Sequence, residues 1–337
     1  MKGKTMTSIR HADPNERDYK AYTNHLFAYN KAIQRRIGSE LEGSLQSIGS
    51  SYAIVTVGSD ARLEKGPVSP IELVVVSKNA QQVPEVRKRL SEYMTACARW
   101  ASFDTDIEAK TLDGNGGYVS EMVLGQGTPE EIRLTSPNRM FDAWFLAGDR
   151  ETYHEMQQRL VQEITSDSPG KSIQERIKNK LREHKKVTTT GMQRYKGEDI
   201  THFDLQAGIA HYDPDKGLWS FKQGPLRLVQ YAIVRDQIRE LREGCDPNVI
   251  FSASRNTLAK LHDLEVFEPV QINHTTISEI TDHYLYFLWM YHRSQKAHQD
   301  SQQTVFGFDG SEARKRSEAL ERICSEPIFR LKHETRK

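Results

Sequence analysis

Between residues 57 and 74 the chain reads Val57-Gly58-Ser59-Asp60-Ala61-Arg62-Leu63-Glu64-Lys65-Gly66-Pro67-Val68-Ser69-Pro70-Ile71-Glu72-Leu73-Val74. An apolar run closes on Gly-Ser, a charged loop follows, and a second apolar run carries an acid near its start. That order of residue types suits phosphate chemistry. Gly58 lets backbone N–H groups approach a phosphate, and the Ser59 hydroxyl adds a donor at the same place. A carboxylate on the next strand, Glu72, suits a Mg²⁺ ion bridging phosphates. Arg62 offers a cation to the same anion, and Glu64 is placed to brace the loop by pairing with Arg62. Farther on, Asp104, Asp106 and Glu108 alternate, so in an extended strand their side chains share one face and can join Glu72 around a metal. The same alternation fits three acids that only solvate an exposed face. Lys110 shares their parity and would neutralise that row or reach a phosphate.

Elements must hold these residues in place. Residues 14–47 carry the stripe of a half-buried helix, with Tyr19, Tyr22, Leu26, Tyr29, Ile33 and Ile37 at intervals of three and four. Asp13 is placed to cap it, Pro14 to open it and Glu16 to complete a capping box. Gly38 marks a break before a shorter segment over 40–48. Tyr52–Val57 and Ile71–Val76 are β-branched apolar runs that read as buried strands. Val83–Trp100 reads as a helix with Cys97 in its apolar face, and Phe103–Leu112 as a third strand. Gly114-Asn115-Gly116-Gly117 is a turn signal, with Tyr118–Leu124 placed to pair back.

Beyond residue 134 the pattern is helical, over 137–146, 150–164, 172–184, 225–242, 254–264, 277–298 and 311–323. The aromatic stripe Tyr284, Tyr286, Phe287, Trp289 and Tyr291 reads as bundle core. Residues 185–224 read as one long irregular segment.

The chain has 337 residues with 47 Lys+Arg against 46 Asp+Glu. A formal net charge of +1 argues against bulk phosphate-backbone binding, so nucleic acid is not an expected partner, although a local basic groove is compatible with that total. No apolar run approaches the roughly 20 residues that cross a bilayer, and the first residues lack the apolar core of a secretory signal. The expectation is a cytoplasmic protein with no membrane partner. Cys97, Cys245 and Cys324 stand far apart in sequence, without zinc or disulfide spacing. His202 and His211 flank one segment too loosely to make a strong metal pair.

Taken together, Gly58-Ser59, Arg62, Glu64 and Glu72 resemble nucleotidyltransferases of the DNA polymerase β type, whose signature is Gly-Ser, a loop of about ten residues, then Asp-x-Asp. The branch holding the bacterial PII-protein uridylyltransferase, and related proteins found with cystathionine-β-synthase domains, is closer still, because it adds an Arg and a Glu after the turn. The resemblance spans about residues 50–240. It continues through 103–112, through Asn138–Arg150 with its Leu-x-Gly-Asp ending, and through Phe203-Asp204-Leu205 with Phe221–Arg227. Two departures stand out: Pro70 replaces the first Asp of Asp-x-Asp and Glu72 the second, while Leu228 follows Arg227 where the family has Asp.

The resemblance implies an α+β fold: a small mixed-sheet nucleotidyltransferase domain (49–135), preceded by a helical segment (1–48) and followed by a helical domain (136–330) that shapes the acceptor site. It implies Mg²⁺ or Mn²⁺ as cofactor and a nucleoside triphosphate as partner, with a protein or small-molecule hydroxyl as acceptor. Glu72 and Asp106 are then the catalytic residues. Glu72, Asp104, Asp106 and Glu108 hold metal, and Gly58, Ser59, Arg62, Lys222 and Arg227 contact nucleotide. Lys222 and Arg227 serve equally well to pin two domains together. The alternative is a degenerate member that binds nucleotide or protein without transfer. A third possibility is an interaction protein that uses its helices, with the α/β part as scaffold.

Overall fold

A computed structural model describes residues 12–45, 48, 51–104, 107–112, 119–121, 141–194, 221–252, 257–258, 260, 274–301 and 310–328. The fold is α+β and divides into two compact units, residues 1–157 and 158–337.

In the first unit, α1 (Tyr19–Leu45) precedes β1 (Tyr52–Thr56), a single helical turn α2 (Gly58–Ala61) and β2 (Leu73–Ser77). Then come α3 (Val83–Cys97), β3 (Glu108–Thr111), β4 (Val119–Glu121), β5 (Trp144–Gly148) and the start of α4 (Arg150–Thr165). The five strands form one sheet in the order β4-β3-β2-β1-β5. β1 runs antiparallel to both β2 and β5, β2 parallel to β3, and β3 antiparallel to β4. A parallel pair needs a crossover connection, and α3 supplies it between β2 and β3. α1 and α3 bury Ile33, Ile37, Leu41, Val86, Leu90 and Cys97 in one cluster with Ile54, Leu73, Val75 and Ala147 of the strands. Each fully buried Ile or Leu there contributes about 1.5–3 kcal/mol. The alternate residues Ala53, Val55, Val74 and Val76 are equally buried. Burial on both faces is why β1 and β2 are unbroken apolar runs.

Several sequence expectations are corrected. α1 starts at Tyr19, not at residue 14, because the capping acid is Asp18. Its Oδ1 accepts the Lys20 N–H at 2.9 Å and its carbonyl the Tyr22 N–H at 2.9 Å. Asp13 instead closes a separate turn with Asn15 and Glu16. Residues 144–146, expected as the end of a helix over 137–146, instead belong to the edge strand β5. The two units divide after Gln157. The segment 185–194, expected to be irregular, continues a helix. The turn at 114–117, His202, His211 and 203–205 lie outside the described residues.

Gly38 does not break α1. A Cβ built there would sit 2.8 Å from the Leu146 carbonyl oxygen, so the glycine is what lets α1 lie close on β5. Backbone cannot swing aside as a side chain can. Gly38→Ala is expected to lower stability by about 1 kcal/mol. An overpacking cost of about 1–3 kcal/mol exceeds the roughly 1 kcal/mol of helix propensity gained. A urea midpoint that rises instead would refute the contact.

The second unit is helical in its described residues: α5 (Asp167–Arg194), a π-helical turn (Lys222–Leu226), α6 (Arg227–Arg242), α7 (Pro247–Ser252), α8 (His274–Ser301) and α9 (Gly310–Ser325). Tyr284, Tyr286 and Phe287 are buried as expected of a core stripe, whereas Trp289 and Tyr291 are half-buried. Arg235 and Asp236 of α6 hold the segment after α9. Arg235 donates to the carbonyls of Cys324 and Glu326, and Asp236 Oδ2 accepts the Ile328 N–H. No described helix is long and apolar enough to cross a membrane.

Candidate functional site

The turn after β1 is built by its own backbone and by α1 beneath it. Gly58 adopts φ +65°, a left-handed conformation that glycine takes without strain. The chain then closes on itself: Arg62 N–H donates to Gly58 O (3.2 Å), Leu63 N–H to Asp60 O (2.9 Å) and Glu64 N–H to Ser59 O (2.8 Å). Leu63 is also left-handed, at φ +63°, which is costly for a leucine and requires surroundings that enforce it. Those surroundings come from α1. Buried Asn30 donates to the carbonyls of Leu63 (2.8 Å) and Lys65 (3.0 Å), and buried Gln34 donates to the carbonyl of Asp60.

Two buried side chains pin the loop further. Asp60, 1% exposed, accepts from Thr56 Oγ1 at 2.5 Å and from Gln34 Nε2 at 3.5 Å. Burial pushes its carboxyl above the usual range and nearby Glu72 adds to the rise, against the opposing pull of Thr56, Lys65 and Gln34. Lys65 donates to Ser69 O at 3.0 Å, and burial lowers its ammonium pKa while Asp60 opposes the change.

The expected residues divide into three groups. Glu72 comes to the turn: a Cβ built on Gly58 would lie 3.1 Å from Glu72 Oε2, so any larger residue would meet that carboxylate. The Glu72 carbonyl also accepts from Val57 N–H and Thr56 Oγ1. Ser59 is half-exposed beside it. Asp104 is close by through the backbone, because its N–H donates to Ile71 O at 2.9 Å and Phe103 bridges Ile71.

Arg62 goes elsewhere. Assigned to phosphate from sequence, it is buried between two carboxylates, with Nε 2.8 Å from Glu64 and Nη1 2.6 Å from Asp142. Glu64 lies inside the loop as Arg62's partner. Lys222 and Arg227 belong to the second unit, with Lys222 Nζ 6.0 Å from the Tyr291 ring centroid and Arg227 among the charges near His184.

Asp106 lies outside the described residues, and Glu108 is placed by its backbone alone, paired with Val74. Ile71 pairs with Phe103 and Val74 with Glu108, so three steps along one strand run beside five along the other. Among the described residues no three His, Cys, Asp or Glu side chains gather as a metal site. Mg²⁺ is commonly held by only one or two carboxylates plus phosphate oxygens and water, and Glu72 with Asp104 fits that donor set.

Sequence reasoning missed Asn30, Gln34, Asp60, Lys65 and Asp142. For the first two a signal existed: both fall on the buried stripe of α1, where a polar residue must find a partner. Asp142 lies 80 residues from Arg62 and carried none. Comparison with protein-family models and with curated proteins found no match.

Proposed function

We propose that the first unit is a nucleotidyltransferase-like unit that binds a nucleoside triphosphate with Mg²⁺ and passes a nucleoside monophosphate to a hydroxyl on a protein or small molecule. The carrying observation is the Glu72 carboxylate held against Gly58 at the end of β1, within a loop that α1 keeps in one shape. Gly58 and Ser59 receive the triphosphate, while Glu72 and Asp104 hold the ion. Bound Mg²⁺ neutralises phosphate charge and polarises the phosphorus under attack. Arg62 and Glu64 act on the loop, not on the ligand.

A second reading, binding without transfer, is favoured by Pro70. It is exposed, has neither an N–H nor a ligand atom, and stands where the resembled family carries its first metal-binding Asp. Titration calorimetry with ATP, CTP, GTP and UTP separates the outcomes. One of them is expected to bind only with Mg²⁺ or Mn²⁺, and Glu72→Gln to weaken that binding at least tenfold. No heat from any of the four rejects nucleotide binding. Metal-dependent binding with no radiolabel transferred into lysate, restored by Pro70→Asp, identifies the position that limits turnover.

A further inference from the structure

The second unit carries a line of charge that the whole-chain total conceals. On α5, Ile173, Ile177, His184, Val187 and Thr188 are buried and define the inward stripe. At 100° per residue, Lys171, Lys178, Arg182, Lys185 and Lys186 fall within about 100° of arc on the opposite side. They are exposed or half-exposed. Two acids of the helix share that arc: exposed Asp167 at its start, and Glu175, which pairs with Lys178 at 2.8 Å, while Lys185 reaches Glu321 at 2.8 Å on α9. A chain of net charge +1 thus presents one helical face on which five cations stand against two acids. Lys178, Arg182 and Lys186 follow at intervals of four, so like charges stack along the helix and repel. A polyanion laid on this face relieves that repulsion.

We propose that the outer face of α5 is a docking surface for the phosphate backbone of a nucleic-acid duplex. The arc from Lys171 to Lys186 is helical and about 22 Å long, which suits a rod of regularly spaced phosphates. A single-strand site would need aromatic platforms for bases, and a protein interface would need apolar or aromatic anchors. Between Lys171 and Lys186 the arc holds only Lys, Arg and Glu. A membrane-surface helix would need its apolar stripe free to enter lipid, but that stripe is in the core here. The proposal is independent of the nucleotide site in the first unit.

Fluorescence anisotropy with labelled RNA and DNA duplexes of about 20 base pairs, at about 50 mM and 200 mM salt, tests it. Wild type is expected to bind at the lower salt. Arg182→Glu/Lys186→Glu should lose at least tenfold in affinity, with a salt slope shallower by about 1.8 for two lost phosphate contacts. Arg35→Glu/Lys88→Glu, the same charge change on exposed residues of α1 and α3, should lose less than threefold. The two duplexes compared tell RNA from DNA. Absence of wild-type binding, equal losses in both variants, or stronger binding to single strands or to phosphatidylserine vesicles overturns the proposal. Should the double reversal fail to fold, Lys171→Gln/Lys186→Gln takes its place with the same criteria.

Discussion

Arg62→Ala is expected to destabilise the first unit by about 3–5 kcal/mol, the range for removing one partner of a buried ion pair. Arg62, Glu64 and Asp142 are each under a tenth exposed. Deleting the guanidinium leaves two carboxylates buried together without their cation, and water cannot reach them freely. Loss of the attraction alone would cost less, since much of it offsets desolvation. The larger part of the damage is the stranded negative charge. Removing that charge as well should therefore repair the protein: Arg62→Met with Glu64→Gln and Asp142→Asn is expected to regain most of the lost stability. Hydrogen exchange read on peptides of β1 and β5 makes the comparison within the unit. A loss below 1 kcal/mol for Arg62→Ala, or a triple variant no better than the single, would show that the triad does not hold the loop.

Acidification is expected to loosen the second unit, with His184 as a principal cause. Burial holds its imidazole down to about 4, outweighing the raising effect of the Gln223 carbonyl, and neighbouring Arg227 and Lys180 lower it further while Glu183 opposes them. In the fold the ring is neutral, donates from Nδ1 to Gln223 O at 2.7 Å, and lies against the Tyr231 ring at 4.9 Å. The unfolded chain, with a pKa near 6.5, takes up a proton on acidification before the folded one does. Stability from the neutral ring is thus complete above pH 6.5 and is lost as pH falls toward 4, by about 3 kcal/mol in all. His184→Gln can still donate to the carbonyl but does not titrate. Hydrogen exchange on α5 and α6 at pH 7.5 and 5, corrected for intrinsic rate, should show a pH-dependent loss in wild type that His184→Gln largely abolishes. The same loss in both proteins would clear His184. Asp60 titrates in the opposite sense, its raised carboxyl contributing stability that is lost as pH rises, so the readout must be confined to the second unit.

What could be read from the sequence was mostly local. β1, β2, α3 and the helices of the second unit show as apolar runs or stripes because each buries a periodic face. β5 did not show, because Trp144-Phe145-Leu146-Ala147 is equally apolar as helix or strand, and only pairing with β1 decides. At the site, Gly58 and Glu72 were legible from turn chemistry and spacing. The fate of Arg62 was not, since a cation two residues from Glu64 looks the same whether it faces solvent or a distant carboxylate. Net charge is a sum over the whole chain, so a total near zero does not show how α5 gathers its cations on one side.

The bond from Arg62 to Asp142 closes 80 residues of chain, and contacts of such separation form late when a domain assembles. α1 can cradle the carbonyls of 60, 63 and 65 early, since those partners are nearby in sequence. The guanidinium waits until residues 141–148 have docked as the last strand of the sheet. The place assigned to nucleotide is thus complete only once Asp142 is in position, and a nascent chain that has not yet released its first 150 residues or so carries the turn without its lock.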